Sequence, residues 1–96
     1  MKESTKLVDP TLAEIDFLRS EVDTGLTLAK IAHNANRDDR KSRNRLNARK
    51  AYDAVVRFTP RVTLTAEETD EMKTKMEQLK SELQKLGEEF QTLGSV

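Results

Sequence analysis

The sequence predicts an all-α protein, a three-helix antiparallel bundle whose third helix has a coiled-coil-like seam. Residues that favour helices dominate, whereas the 96 residues include only three glycines and two prolines. Apolar residues recur at helical spacing in three segments, and helix start or stop signals separate these segments. A chain of this length supports one hydrophobic core. We therefore expect a flexible N-terminal tail at residues 1–8 and a single helical domain at residues 9–93.

The first helix is expected over residues 10–35. Asp9 and Pro10 suit the N-cap and the first helical position, because the carboxylate accepts backbone N–H groups and proline lacks a donor that would have no partner. Gly25 lies on the apolar stripe of this helix. Since a helical glycine costs about 1 kcal/mol relative to alanine, we expect a neighbouring helix to approach closely there. The stripe has spacings of three and four and comprises Leu12, Ile15, Leu18, Val22, Leu26 and Ala29.

A second apolar line on the first helix consists of Phe17, Leu28, Ile31 and Ala35. In one interpretation the helix packs against both other helices of the bundle, since a small bundle uses every apolar face. In the other, Phe17, Leu28 and Ile31 form an exposed surface that binds a partner helix or a second copy of the chain. These three residues are the candidate partner surface.

The second helix is expected over residues 37–58. Asn36 is the predicted cap, and Asp38 and Asp39 fall in the first turn, where negative charge complements the helix dipole. Pro60 ends the helix, because proline disfavours the α conformation in the residue before it. Only the second half of this helix has an apolar face that can be buried, formed by Ala48, Ala51, Tyr52, Val55 and Phe58.

The third helix is expected over residues 66–87, with its continuation beyond Gly87 left open. Thr65 and Glu68 match a capping box, in which each side chain bonds the backbone N–H of the other residue. The narrow apolar seam of this helix suits packing at a shallow angle, either within the bundle or between chains. The seam alternates spacings of four and three and comprises Met72, Met76, Leu79, Leu83, Leu86, Phe90 and Leu93.

Basic residues concentrate in and just after the second helix. Residues 37–61 hold nine of the 17 lysines and arginines and sum to +6, whereas residues 1–36 sum to −2 and residues 62–96 to −4. Arginine and asparagine contact phosphates and bases in nucleic-acid complexes, but no aromatic side chains for stacking are interleaved with the basic run. The chain as a whole has no net charge, which favours a solvated helix end over a surface for a polyanion or an acidic protein. The candidate polyanion contacts are Arg40, Arg43, Arg45, Arg49 and Lys50.

Four residues of the second helix and its end have the spacing of the small, aromatic, small and proline positions in a tetratricopeptide motif. They are Ala48, Tyr52, Val55 and Pro60. This resemblance implies a helical hairpin closed by a third helix, an arrangement similar to microtubule-interacting and transport domains, which bind partner helices in grooves. The Asn-Ala-Arg-Lys-Ala-Tyr-Asp segment at residues 47–53 also resembles short uncharacterised bacterial helical proteins, and that resemblance implies no activity.

No catalytic, cofactor or metal site is predicted. The sequence has no cysteine and a single histidine, His33, whereas a zinc site needs several ligands at suitable spacing. His33 is expected to pack or cap at the end of the first helix. The paired carboxylates are adjacent in sequence, so they point in different directions on a helix and give no acid–base arrangement. We therefore expect a protein that is not an enzyme and takes no small-molecule substrate.

The sequence leaves two functional hypotheses. In the first, the chain is a non-catalytic interaction or scaffold module that binds a protein partner or a second copy through Phe17, Leu28 and Ile31. In the second, it binds nucleic acid or another polyanion through the basic half of the second helix. No apolar run reaches the roughly 20 residues of a membrane span, and no leader pattern is recognised, so we expect a cytoplasmic protein without membrane contact.

Overall fold

Three α-helices form the part of the chain that the structure, a computed structural model, describes, namely residues 10–90 with side chains from residue 13 onward. Helix α1 spans Pro10–Asn34, α2 spans Asp38–Phe58 and α3 spans Ala66–Lys85, with a 3₁₀ turn at Thr59–Arg61. The predicted all-α three-helix bundle is confirmed. The predicted tail at residues 1–8, the Asp9 cap and Leu93 lie outside the described residues, as does the side chain of Leu12.

Helices α1 and α2 form the most extensive interface of the bundle and run antiparallel. At one end the Phe17 and Phe58 rings meet edge to face, with centroids 5.5 Å apart. Near the middle, a Cβ atom built on Gly25 would lie 3.3 Å from Ala51 Cβ and 2.7 Å from Leu79 Cδ2 of α3. The glycine on the α1 stripe is therefore the point where all three helices approach closely, as predicted.

Helix α3 lies beside α1 and runs in the same direction, because three polar side-chain contacts join the two helices at positions that rise together. The Arg19 fork donates two hydrogen bonds of 2.9 Å to Glu71, and this lowers the pKa of the Glu71 carboxyl. The chain therefore reverses at each connection. The three contacts are Arg19 with Glu71, Asp23 with Lys75, and His33 with Glu82.

The core combines the α1 stripe, the second half of α2 and the α3 seam. Ile15, Leu18 and Val22 of the stripe are at most 1% exposed, and Leu26 is half-buried against them. Burying an aliphatic side chain of this size stabilises a fold by about 1.5–3 kcal/mol, so these positions dominate the packing energy. The α3 seam closes within this chain, since Leu79 and Leu83 are fully buried. The other buried core residues include Ala29, Ala48, Ala51, Val55 and Met72.

The start of α2 differs from the prediction. The N-cap is Arg37, in an extended conformation and with no side-chain cap, so the predicted Asn36 cap is wrong. Arg37 instead donates two hydrogen bonds, of 3.1 and 3.2 Å, to the carboxylate of Asp39. Asp38 and Asp39 occupy the first helical turn as expected, where they complement the helix dipole.

The α2–α3 connection follows the sequence signals. Helix α2 ends at Phe58, and the Thr59 hydroxyl donates a 2.6 Å hydrogen bond to the Val55 carbonyl. At the start of α3 the Glu68 N–H donates to Thr65 Oγ1 at 3.0 Å, and the Thr65 N–H donates to Glu68 Oε1 at 2.9 Å. The predicted capping box is therefore confirmed.

Helix α3 ends earlier than its apolar period suggests. Gly87 has a φ of 102°, and the Gly87 N–H donates to the Gln84 carbonyl at 3.0 Å. The Glu88 N–H donates to the Leu83 carbonyl at 2.9 Å, which completes a Schellman motif. The expected helix through residue 87 is wrong by two residues, and Phe90 leaves the seam. Because the chain reverses there, Phe90 packs on Tyr52 of α2, with ring centroids 4.9 Å apart.

Candidate interaction surface

The candidate partner residues of α1 lie on the side that turns away from α3. Arg19 and Asp23 mark the side of α1 that contacts α3. At 3.6 residues per turn, Phe17 and Leu28 lie at least a third of the circumference away from both contacts. Ile31 lies about 120° from Arg19 and about 80° from Asp23. They flank the α1–α2 seam on the opposite side of the bundle, and we call these three residues the apolar row.

The apolar row is partly exposed and partly supports the core. Phe17 and Ile31 are 43% and 42% exposed, whereas Leu28 is half-buried and packs against the core cluster. Phe17 and Ile31 are two intervals of seven residues apart, and the exposed Thr24 lies midway between them. The two sequence interpretations therefore each apply to part of the row. Leu28 packs within the bundle, and Phe17 and Ile31 leave apolar surface exposed.

Three exposed basic residues of α2 form a matching row. Arg43, Lys50 and Arg57 are seven residues apart, so they lie within about 40° of one another on the helix. The side of α2 that bears Arg49 and Tyr52 faces the chain after α3 instead. Arg43, Lys50 and Arg57 therefore point away from α3, and we call them the basic row.

The two rows lie next to each other at matching heights. Phe17 is opposite Phe58, and Gly25 approaches Ala51. For a residue of α1 and a residue of α2 at the same level along the bundle axis, the two residue numbers therefore sum to about 76. Ile31 therefore lies within about one turn of Arg43, and Phe17 lies beside Arg57. The apolar row and the basic row together form what we call the α1–α2 face.

Of the five candidate polyanion contacts, Arg40, Arg43 and Lys50 are exposed. Arg45 and Arg49 are half-buried. Arg49 Nη1 donates to Glu88 Oε1 at 3.0 Å and to the Glu89 carbonyl at 2.8 Å. The structure thus separates the candidate contacts into two groups on different sides of α2.

Arg45 and Arg49, the half-buried candidate contacts, join the turn after α3 to α2. Arg45 Nε lies 3.0 Å from Glu88 Oε2 without hydrogen-bond geometry, so this contact is ionic. Arg49 also donates to Asp53 at 3.0 Å, and its guanidinium lies 4.1 Å from the centroid of the Phe90 ring. Burial opposes the charge of Arg49, but the hydrogen bonds to Asp53 and Glu88 outweigh it, so the pKa of Arg49 is raised. Sequence reasoning missed Glu88, because its partners are about 40 residues distant and only the reversal at Gly87 brings it to α2.

His33 takes part in an inter-helix contact. Its Nε2 lies 2.8 Å from Glu82 Oε1 of α3, so the predicted packing role is accompanied by a carboxylate partner that the sequence did not indicate. Within the described residues, no group of three or more histidine, cysteine, aspartate and glutamate side chains is placed to hold a metal ion.

A second apolar surface lies between α2 and α3. It is an open groove in which Val56 is 52% exposed beside the half-buried Tyr52 and Met76. Burial raises the pKa of the Tyr52 hydroxyl. The residues that line this groove include the acidic Asp53 and Glu89 as well as Lys73 and Lys80. The groove therefore differs in charge pattern from the α1–α2 face.

Comparison with protein-family models, with curated proteins and with solved structures found no match to this chain. The resemblance to a tetratricopeptide-like hairpin and to short bacterial helical proteins therefore stays a prediction. None of the helices in residues 10–90 combines the length and the apolar character that crossing a membrane requires.

Proposed function

We propose that this chain is a non-catalytic helical interaction module of the cytoplasm that binds a protein partner through the α1–α2 face. The observation that carries the proposal is the exposure of Phe17 and Ile31, at 43% and 42%, on a helix whose other apolar stripe buries Ile15, Leu18 and Val22. A helix that leaves a large aromatic and a β-branched residue uncovered at regular spacing is typical of a surface that another helix covers.

The ionisable groups support a structural role for charge in this fold. The groups in the described residues whose pKa values shift are Arg19, Glu71, Arg49 and Tyr52. Arg19 and Glu71 pair across the α1–α3 seam, and Arg49 and Tyr52 pack against the Phe90 turn. The shifts of Arg19, Glu71 and Tyr52 follow from packing between helices, and that of Arg49 follows from its hydrogen bonds to Asp53 of α2 and to Glu88 after α3. The four groups do not converge on one cavity as catalytic acids and bases do.

The proposal is tested by single serine substitutions of matched exposure. Phe17→Ser and Ile31→Ser remove the exposed apolar surface, and Val56→Ser is the control because Val56 is 52% exposed on the α2–α3 groove. Each tagged variant is isolated from its native cell and its bound proteins are quantified against the parent, with circular dichroism to confirm folding. We expect one or more bound proteins to be lost with Phe17→Ser and Ile31→Ser and retained with Val56→Ser. The same bound proteins with all variants would contradict the proposal.

Self-association is a version of the same proposal with its own measurement. Sedimentation equilibrium reports whether the mass exceeds the 10.9 kDa of one chain. If a second copy covers the face, the mass returns to that of a monomer in Phe17→Ser and Ile31→Ser. A monomeric parent would remove this version and leave a different protein as the partner.

Polyanion binding is a second candidate function, favoured by the exposure of Arg40, Arg43 and Lys50. It predicts an affinity for duplex DNA or RNA that falls steeply with salt, because phosphate contacts release counterions. Arg40→Ala with Arg43→Ala should weaken that binding, whereas Arg45→Ala should act mainly through the Glu88 contact and lower stability. No binding at low salt would remove this candidate.

A further inference from the structure

The α1–α2 face has the dimensions of one short helix. The basic row spans 14 residues of α2, which corresponds to about 21 Å at 1.5 Å per residue. The basic row repeats at seven-residue intervals from Arg43 to Arg57, and Phe17 and Ile31 of the apolar row are 14 residues apart on one side of α1. An α-helix returns to nearly the same side every seven residues, so a partner helix of about four turns can follow both rows along their length.

Within residues 10–90, no ion pair neutralises the basic row. Ion pairs of α2 within the described residues involve Arg37, Arg45 and Arg49. Arg43, Lys50 and Arg57 take part in none of them. Of the acidic residues nearby, Asp53 accepts a hydrogen bond from Arg49. Glu21 is half-buried on the side of α1 that faces α2, and Glu14 lines the apolar pocket at Phe17. The face therefore presents three cations beside an apolar strip, and a partner with carboxylates at the matching positions gains from all three.

We propose that the occupant of this face is an acidic amphipathic helix of another protein. Its apolar side packs on Phe17 and Ile31, and its aspartates and glutamates lie along Arg43, Lys50 and Arg57. This inference rests on the proposed function and adds the chemistry of the partner to it.

The apolar row argues against nucleic acid, a membrane or a second copy of the chain as the occupant of this face. A phosphate backbone does not reward the burial of Phe17 and Ile31, and two exposed apolar side chains with the polar Thr24 between them offer little area for insertion into a bilayer. In a two-fold dimer through the same face, the basic row would pack either against the basic row of the second copy or against its apolar row. Neither pairing is favourable. A helix with one apolar and one acidic edge satisfies both rows at once.

The test is a selection from a displayed library of 16-residue helix-forming peptides with varied apolar and charged positions. The parent chain should enrich peptides that combine an apolar i, i+7 line with an excess of Asp and Glu over Lys and Arg. For an enriched peptide, Arg43→Glu with Lys50→Glu should lower the affinity about tenfold, in line with the loss of two charge contacts. The control, Lys41→Glu with Lys73→Glu, reverses two exposed lysines outside the face and should leave the affinity unchanged.

The outcomes separate the inference from the proposed function. If the enriched peptides have no acidic bias and do not bind Ile31→Ser, the inference is overturned and the face remains a binding surface. Enriched peptides that bind Ile31→Ser as well as the parent would overturn both. No enrichment, together with binding of phosphatidylserine vesicles, duplex RNA or a second copy through the basic row, would likewise overturn the inference and identify the other occupant.

Discussion

The substitution Gly25→Ala tests the close approach of the three helices. Two effects of opposite sign compete. Alanine in place of a helical glycine stabilises a helix by about 1 kcal/mol. The added Cβ, however, would lie 2.7 Å from Leu79 Cδ2 and 3.3 Å from Ala51 Cβ, and Leu79 is fully buried. Overpacking of a filled core costs about 1–3 kcal/mol, so we expect the free energy of unfolding to fall by up to about 2 kcal/mol.

A double-substitution cycle with Leu79→Val makes this prediction specific. Valine lacks the δ-methyl groups that the new Cβ would meet and keeps enough volume for the domain to stay folded. In that background, Gly25→Ala should be neutral or stabilising, because the helix preference is no longer opposed by the closest contact. Urea denaturation followed by circular dichroism measures all four chains, with the exposed Ser20→Ala as a control on the same helix. Stabilisation of about 1 kcal/mol by Gly25→Ala in both backgrounds would refute the close packing.

Three further predictions concern the helix ends and one ion pair. Thr65→Ala removes the acceptor of the 3.0 Å capping hydrogen bond and should lower the free energy of unfolding by about 1 kcal/mol, and an equal loss in the exposed Thr74→Ala would contradict this. Gly87→Ala forces an L-residue to a φ of 102° and should cost about 1 kcal/mol although no atom lies within 4 Å of the new Cβ, whereas an unchanged denaturation midpoint would contradict the strain. Because the hydrogen bond from Arg19 lowers the pKa of Glu71 from its ordinary 4.5, the pair contributes stability above that pH and loses it as the pH falls through the lower, folded value. Glu71→Gln should therefore flatten the acid side of the stability profile, and an unaltered profile would contradict the pair.

The sequence was sufficient to predict the three helices, because their signals are local. The capping box at Thr65 and the stop at Pro60 act through groups a few residues apart, and the structure places helix ends at both. Gly25 was also informative, since a glycine on a buried stripe has few explanations other than close packing. Asn36 was wrong as the cap because the extended residue before α2 is Arg37, which pairs with Asp39, although residue preference favours asparagine at that position.

The end of α3 shows why periodicity alone was not enough. Phe90 kept the apolar period of the seam, so the pattern favoured a longer helix. The left-handed Gly87 instead reverses the chain, and Phe90 is half-buried against Tyr52 of α2. The ionic contacts of Glu88 follow from this reversal, and no local signal in the sequence indicates them.

The candidate surface was recognisable in part. The seven-residue spacing of Arg43, Lys50 and Arg57 is present in the sequence, but Arg57 lies beyond the dense basic run that defined the candidate contacts. Which side of α2 faces α3 depends on tertiary packing, and this decides that Arg43 and Arg49 serve different surfaces. The adjacency of the basic row to Ile31 could be seen only once the antiparallel register of α1 and α2 was known.

The α1–α2 face is tested most directly by site-specific photo-crosslinking in the native cell. A photoreactive residue at Thr24, in the middle of the face, is compared with one at Thr74 on the exposed side of α3. The interaction proposal predicts a defined protein adduct from Thr24 that disappears when Ile31→Ser is added, and no such adduct from Thr74. An adduct from Thr74 alone, or equal adducts from both positions that persist with Ile31→Ser, would contradict the assignment of this face as the partner surface.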